Sequence, residues 1–405
     1  MKDKIIFFSP YYDPESFPHN ALIDELANRG NNVSVITSLP NYRKYGFYKG
    51  FSIVGPYFEK KKNLKIFRLP VIPRLNDKIY SIFFFYLSFF ITSFIFLFFF
   101  SILYRNKYNY LISFCGSPVY TGIYGNIFSK LINAKHLLWV QDIWPEAIQT
   151  TQKKNLKYAE NLINFFQSWM WNKADVLLSQ SNELNNFLKQ NSFAKENKIL
   201  FNPVREVFDS EKMSEIDNGK KNKTLVITYM GAIGAGKFLN EIIDSILLYK
   251  NSNIELNLCG TGSEYESLKK KYVSNRIKWH GWLAKKELDQ ISLTTDFFIF
   301  GLNTLNRQSL ILPSKLQTYC MYGKPIICYS DGASKSFIKN NNLGIVCDKK
   351  DKKSLVDAIH QAALIDKLDR LKMGKSAREY FNNNFTREKV ADQCEEIFRD
   401  LREEG

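Results

Sequence analysis

The sequence predicts an α/β protein of two units, each a parallel sheet covered by helices on both faces. Three observations carry this. The chain has 405 residues, roughly twice the common domain length of about 100–200 residues. Short apolar runs recur along it, continuous rather than alternating, as in strands buried on both faces. Longer amphipathic stretches separate them, as crossover helices separate parallel strands.

In the first half, strands are expected at Ile5–Phe8, Val33–Thr37, Lys65–Leu69, Tyr110–Phe114, Leu137–Val140 and Val176–Ser179. The Ile5–Phe8 run is only four apolar residues and is soon followed by Asp13 and Glu15, so it reads as a buried strand rather than a secretion signal. Ala21–Asn28 has a helical pattern ending near Gly30, which suits a left-handed helix terminus. In the second half, strands are expected at Leu225–Met230, Ile254–Leu258, Arg276–Trp279, Phe297–Phe300, Pro325–Cys328 and Gly344–Val346. The polar stretch Asp209–Lys223 has a linker's composition. The expected domains are residues 1–201 and 202–375. Residues 376–405 hold a terminal helix, Ser376–Leu401, expected to pack back on the first domain.

Residues 79–104 interrupt this rhythm. The segment Ile79–Tyr104 has no charged residue and contains ten Phe. As one helix it would be about 39 Å long, enough to cross a hydrocarbon core of about 30 Å. Strands of one sheet are expected on both sides of it in sequence, so a single crossing would divide that sheet across a membrane. The segment is therefore expected to return to its starting side as a re-entrant hairpin, to lie in the interface, or to be buried in protein. Ser88, Thr92 and Ser93 could satisfy a bend. Lys78, Arg105 and Lys107 flank it and suit anionic headgroups. The formal charge is +16, with 24 Lys and Arg against 13 Asp and Glu within residues 1–200, which points to an anionic partner surface.

Composition excludes other classes. With 45% hydrophobic and 24% charged residues, the chain is neither disordered nor fibrous. Its six cysteines form no C-x-x-C pair and have no histidine at ligand spacing, so no zinc site or disulfide framework is expected. The basic residues are spread and no nucleic-acid-binding motif is present, so no nucleic-acid partner is expected.

Four motifs carry candidate chemistry. Gly231-Ala232-Ile233-Gly234-Ala235-Gly236-Lys237 follows a strand and precedes a helical pattern. Such glycines let backbone approach a phosphate at a helix N-terminus, and Lys237 adds positive charge. Phe238 stands where a P-loop would place Ser or Thr. A second turn, Gly260-Thr261-Gly262-Ser263-Glu264, follows the next strand. Third, Pro313-Ser314-Lys315 opens a helix that includes Thr318. A lysine in a first helical turn opposes the helix dipole, which an anionic ligand would explain. Fourth, Leu138-Trp139-Val140-Gln141-Asp142-Ile143-Trp144-Pro145-Glu146 ends a strand in two carboxylates four apart. The carboxyl ends of such strands are where catalytic groups collect. Each motif also has a plain structural reading, as a tight turn, a helix cap or a solvated charge.

Together these motifs resemble glycosyltransferase family 4, two-domain retaining enzymes of the GT-B fold, and in particular the bacterial O-antigen and capsule subgroup that transfers amino sugars such as N-acetylfucosamine. The Val140-Gln141-Asp142 and Trp144-Pro145-Glu146 segments match that subgroup's V-Q-D-x-W-P-E signature. Pro313-Ser314-Lys315 with Gly323-Lys324-Pro325 matches the family's P-S-K…G-K-P stretch. Gly231, Gly234 and Lys237 match its phosphate loop, and Gly260, Gly262 and Glu264 its G-x-G-x-E turn. The chain departs from the family where an Arg often stands, at Ala232. It also departs where a pair of glutamates would fall, at Leu310 and Thr318, and at Ser16–His19 in place of a Gly-Gly pair. Arg307 or Lys315 is a candidate for the missing charge.

The resemblance implies two facing Rossmann-like domains with a cleft between them. The second would hold a nucleotide-sugar, expected to be UDP-linked, through Gly231, Gly234, Lys237, Gly260, Gly262, Glu264, Ser314, Lys315 and Thr318. No metal or cofactor is expected, since the lysines and loop amides would stabilise the leaving diphosphate. The first would take a polyprenyl-diphosphate-linked saccharide at the cytoplasmic face of the plasma membrane, with Asp142 as catalytic residue and Glu146 supporting it. Two alternatives stay open: a catalytically degenerate, membrane-bound partner subunit, and a UDP-sugar 2-epimerase.

Overall fold

The computed structural model describes residues 2–403 apart from 43, 77, 117, 119, 145–156, 206, 207, 209–223, 250–252, 304, 305, 349 and 350. The chain forms two compact units. One comprises Met1–Arg205 with Arg387–Gly405, the other Glu206–Thr386. The divisions thus fall at 205/206 and 386/387 rather than at the expected 201/202 and 375/376.

The first unit is built on an eight-stranded sheet. Its strands are β1 (Lys4–Phe8), β2 (Asn32–Ser38), β3 (Phe58–Lys61), β4 (Leu64–Leu69), β5 (Tyr110–Cys115), β6 (Lys135–Val140), β7 (Val176–Ser179) and β8 (Glu196–Ile199). The spatial order is β3-β4-β2-β1-β5-β6-β7-β8. All neighbours are parallel except β3, which runs antiparallel to β4. Strand order reverses between β1 and β5, and at such a switch point the connecting loops part and leave a crevice. Helix α1 (Pro18–Asn28) and the helix Arg387–Glu403 cover one face. Leu22, Ile23 and Leu26 there join Val390, Cys394 and Phe398 in a single core with β1, β2 and β5. Tyr110 stacks on Phe398 at 4.2 Å and donates to its carbonyl at 2.8 Å.

The other face is covered by α2 (Ile79–Tyr104) and α3 (Tyr120–Ile132). The apolar segment is one uninterrupted helix, not a hairpin. It lies along the sheet for its whole length, burying Phe85, Phe89, Leu97 and Phe100 against Ile6, Phe8, Leu111 and Phe128. The polar residues expected to satisfy a bend act otherwise. The Ser88 hydroxyl accepts from the Ile72 amide at 2.9 Å, and Thr92 donates back to the Ser88 carbonyl at 2.9 Å. Ser81 accepts from the Leu75 amide. Hydroxyls of α3 donate to α2 carbonyls, Tyr120 to Tyr86 and Tyr124 to Phe90. The opposite side of α2 remains exposed and wholly apolar, including Phe83, Phe90, Phe94 and Phe98.

The second unit holds a six-stranded parallel sheet: β9 (Leu225–Met230), β10 (Ile254–Cys259), β11 (Ile277–Gly281), β12 (Phe297–Gly301), β13 (Ile326–Tyr329) and β14 (Gly344–Val346). Its order is β11-β10-β9-β12-β13-β14, so the direction of winding reverses between β9 and β12. This is the doubly wound arrangement of nucleotide-binding sheets.

The expected terminal helix is two helices, Lys367–Asn384 in the second unit and Arg387–Glu403 in the first. The first ends at Phe385, whose amide still bonds to the Phe381 carbonyl, and Thr386 separates them. Strands β3 and β8 had no counterpart in the sequence reading. All six cysteines are free and buried.

Candidate functional site

In the second unit, three loops gather at the carboxyl edge of the sheet, those after β9, β10 and β12. Backbone bonds lock the first two together. The Gly231 amide donates to the Cys259 carbonyl at 2.8 Å, the Ile233 amide to Thr261 at 3.0 Å, and the Glu264 amide to Ile233 at 3.2 Å. This closeness explains the glycines. A Cβ on Gly260, at φ +140°, would sit 2.0 Å from the Gly231 carbonyl oxygen. One on Gly262, at φ +159°, would sit 2.2 Å from the Ile233 oxygen. A Cβ on Gly234 would meet Ser263 Oγ at 3.1 Å. The β9 and β12 loops, on either side of the switch point, are joined by the Asn303 amide donating to the Gly236 carbonyl at 2.7 Å.

Two lysines converge on this edge. Lys315 lies in the first turn of the helix Ser314–Met321, with Nζ 2.8 Å from the Tyr229 hydroxyl and 4.0 Å from its ring centroid. Its side chain runs against the glycine loop, so a Cβ on Gly231 would meet Lys315 Nζ at 2.6 Å. Burial, and after it the charge of Lys237, lower the Lys315 pKa to about 7. Burial also lowers that of Lys237. Among the described residues no carboxylate lies within ion-pair distance of either. Two cations held close without a counter-ion have the electrostatics of an anion site.

The remaining predicted residues of this unit are placed as follows. Pro313, not Ser314, occupies the N-cap; Ser314 is the first helical residue and is exposed. The Thr318 hydroxyl donates to the Ser314 carbonyl at 3.4 Å. Glu264 caps the helix Tyr265–Lys271 through its backbone only and is half-buried beside the glycine loops. Arg307 lies in the short 3-10 turn Asn306–Leu310. Phe238 adopts a left-handed conformation before the helix Leu239–Leu248, packing on Tyr329.

In the first unit, Asp142 follows β6 and abuts Gly116 at the end of β5: a Cβ on Gly116 would lie 3.4 Å from Asp142 Oδ2. Burial raises its pKa to about 6, and it has no hydrogen-bond partner among the described residues. The neighbouring Gln141 and Gln180 carboxamide oxygens both accept from Asn202 Nδ2, at 2.9 and 2.6 Å. Glu146 lies outside the described residues, as does Pro145. The structure therefore brings Gly231, Gly234, Lys237, Gly260, Gly262, Glu264 and Lys315 together at one sheet edge, and places Asp142 at the corresponding edge of the other sheet.

Sequence reasoning missed further groups at the first unit's switch point. Glu15 is fully buried; one carboxylate oxygen accepts the Asn41 and Tyr42 amides at 2.7 Å each, while the other has no partner among the described residues. Burial raises its pKa to about 7, against the pull of those amides. His19 Nε2 lies 2.7 Å from the Tyr11 carbonyl, and burial lowers its pKa to about 4. Arg74 is buried among the rings of Tyr11, Tyr42, Phe85 and Tyr86. The signal for Glu15 was its position just after the first strand, and for His19 also its place in the Ser16–His19 segment that replaces the family's Gly-Gly pair. Tyr229 had none.

Residues 211–380 match the protein-family model described as Glycosyl transferases group 1. The matched residues lie within the second unit, Glu206–Thr386. No curated protein sequence matches the chain significantly. Among solved structures, the chain is similar to sucrose-phosphate synthase from Thermosynechococcus elongatus, with TM-score 0.71 at 14% identity over 100% of both chains. It is similar to Anabaena HepE in complex with UDP, with TM-score 0.68 at 13% identity over 98% of this chain and 100% of that one. It is also similar to WaaG, a glycosyltransferase involved in lipopolysaccharide biosynthesis, with TM-score 0.63 at 14% identity over 96% of this chain and 98% of that one. The shared architecture is the α/β GT-B fold with two Rossmann-like parallel sheets.

Proposed function

We propose, from the premise that a protein with a group 1 glycosyltransferase domain is a sugar-transferring enzyme, that this one moves a sugar with retention from a UDP-sugar to a lipid-linked saccharide. The observation that carries the donor side is the pair Lys237 and Lys315 at the switch point of the second sheet, uncompensated by any described carboxylate and set against glycine loops. Breaking a sugar–phosphate bond builds negative charge on the departing diphosphate, and preorganised cations in a desolvated site lower that barrier. In this reading the two lysines do this without a metal, and Glu264, Ser314 and Thr318 line the nucleotide-sugar. HepE, similar in fold, binds UDP, which supports a uridine nucleotide. An amino or deoxy sugar, in O-antigen or capsule assembly, is the finer form of the proposal, and it rests on the sequence signature around Asp142.

Asp142 is the residue proposed to act on the acceptor hydroxyl or on positive charge developing at the sugar. Its carboxylate is half-buried, unpaired among the described residues and largely ionised at neutral pH, as such a role requires. A lipid-linked acceptor is supported by α2, whose exposed side is an apolar face running the length of a helix of 26 residues. Because α2 is docked on the sheet throughout, it would lie in the interface at the membrane's cytoplasmic face rather than cross it.

The test is binding and hydrolysis of UDP-, GDP- and dTDP-sugars by the detergent-purified protein, beside Lys237→Ala and Lys315→Ala. Binding of one UDP-sugar, lost in both variants, is the expected result. A folded protein that binds none of them would favour the degenerate partner subunit, the reading to which Ala232 and the absent glutamates at Leu310 and Thr318 also lend themselves.

A further inference from the structure

A cavity of about 270 Å³ opens at the amino-terminal edge of the first sheet, the edge opposite the candidate site. Its walls are the starts of β1, β2 and β4 and the segment that leaves α2. Four of its lining side chains are lysines, Lys4, Lys62, Lys65 and Lys107, and none is acidic. Among the described residues none of the four has a carboxylate within ion-pair distance. Lys107 instead sits 5.1 Å from the ring of Tyr104. The floor is polar: Ser34 Oγ and the Tyr108 hydroxyl are buried and 2.8 Å apart. Four like charges around one concavity repel, and an anion relieves that repulsion.

Location decides which anion. Tyr104 is the last residue of α2 and lines the cavity. Its ring stacks on Phe100 at 4.2 Å, so the cavity is continuous with the core side of the apolar helix. On the outer side, Phe98, Phe99, Ile102 and Leu103 are exposed up to the same end. The apolar face thus ends beside a tyrosine and a lysine-lined cavity, the residue types that meet headgroups beside an interfacial helix. We propose that this cavity takes the phosphate of an anionic phospholipid headgroup while α2 lies in the adjoining acyl layer. The inference rests on the interfacial placement of α2 proposed above. The lipid's phosphate would fix the rotation of the first unit on the membrane, which the smooth apolar face of α2 alone leaves free.

The full-length protein is floated with vesicles of phosphatidylcholine alone and with vesicles containing phosphatidylglycerol. Lys62→Ala with Lys107→Ala is compared with Lys60→Ala with Lys61→Ala, which removes the same charge from exposed neighbours outside the cavity. The expected result is tighter binding to the anionic vesicles, weakened about thirtyfold by the cavity pair and much less by the control pair, with binding to neutral vesicles unchanged. Equal losses in the two pairs, or no preference of the unaltered protein for anionic vesicles, would overturn the headgroup site while leaving the interfacial helix standing. Failure to bind vesicles of either kind would overturn both. Inorganic phosphate that raises the melting temperature of the unaltered protein but not of the cavity pair, without any vesicle preference, would assign the cavity to free phosphate and overturn its lipid source.

Discussion

Lys315 Nζ lies 2.8 Å from the Tyr229 hydroxyl, and Tyr229 is the penultimate residue of the strand whose loop carries Gly231. Charge and loop are thereby held by the same strand. Burial leaves Lys315 with a pKa of about 7, and an adjacent diphosphate favours its charged form. UDP binding should therefore take up a proton above pH 7, and affinity should fall as pH rises through 7 until the pKa of the complex is passed. Calorimetry in buffers of different ionisation enthalpy measures this uptake directly. Below about pH 6 the lysine is already charged and no uptake is expected.

Asp142→Asn should lower turnover by about 10²–10⁴-fold and at the same time stabilise the fold at neutral pH. The sign follows from the raised pKa. Ionising this carboxyl in the folded state is disfavoured between its usual value of 3.8 and about 6, and the penalty is constant above that. Removing the charge should gain about 1–3 kcal/mol at pH 7 and nothing below pH 3.8. Denaturant melts at the two pH values, beside steady-state kinetics, check both halves.

Gly260→Ala should cost at least about 2–4 kcal/mol and abolish nucleotide-sugar binding, because its methyl group would collide with the Gly231 carbonyl and separate the two loops. Gly236→Ala is the contrast. Its φ of +77° is costly, but the nearest atom to its Cβ is 3.8 Å away, so about 1–2 kcal/mol is expected. Thermal denaturation and a nucleotide-binding assay separate the two.

Phe83→Ser with Phe94→Ser and Phe98→Ser should leave the melting temperature nearly unchanged and reduce vesicle binding at least about a hundredfold, since each ring contributes about 1.5–3 kcal/mol when embedded. Phe89→Ala should do the opposite. It is fully buried on the sheet side of α2, and its loss should cost about 3–5 kcal/mol. Deleting residues 79–104 would remove both faces at once, so membrane release by that deletion would not separate anchoring from folding.

The central strands and the glycine loops were legible because their causes are local. Apolar runs such as Phe297–Gly301 need burial on both faces, and a glycine at φ +140° tolerates no other residue. Strands β3 and β8 were not legible. Their sequences, Phe58-Glu59-Lys60-Lys61 and Glu196-Asn197-Lys198-Ile199, are those of sheet edges with one partner strand, where no continuous apolar run marks them. The break at Phe385–Thr386 carries neither proline nor glycine. It is set by the two flanking helices packing into different cores. Glu15, Arg74 and Tyr229 were invisible for a related reason. Their burial depends on strands and helices distant in sequence, and no spacing rule announces it.

The last helix completes the core of the first unit, with Val390, Cys394, Phe398 and Leu401 packed among the first strands. On a translating ribosome the second unit can therefore close while the first still lacks part of its interior. Phe7 and Val35 must wait, incompletely covered, until the helix Arg387–Glu403 emerges. Strands near residues 5 and 35 are thus sealed only after a segment about 350 residues further on, and a truncation near residue 390 should expose that sheet to proteases and chaperones.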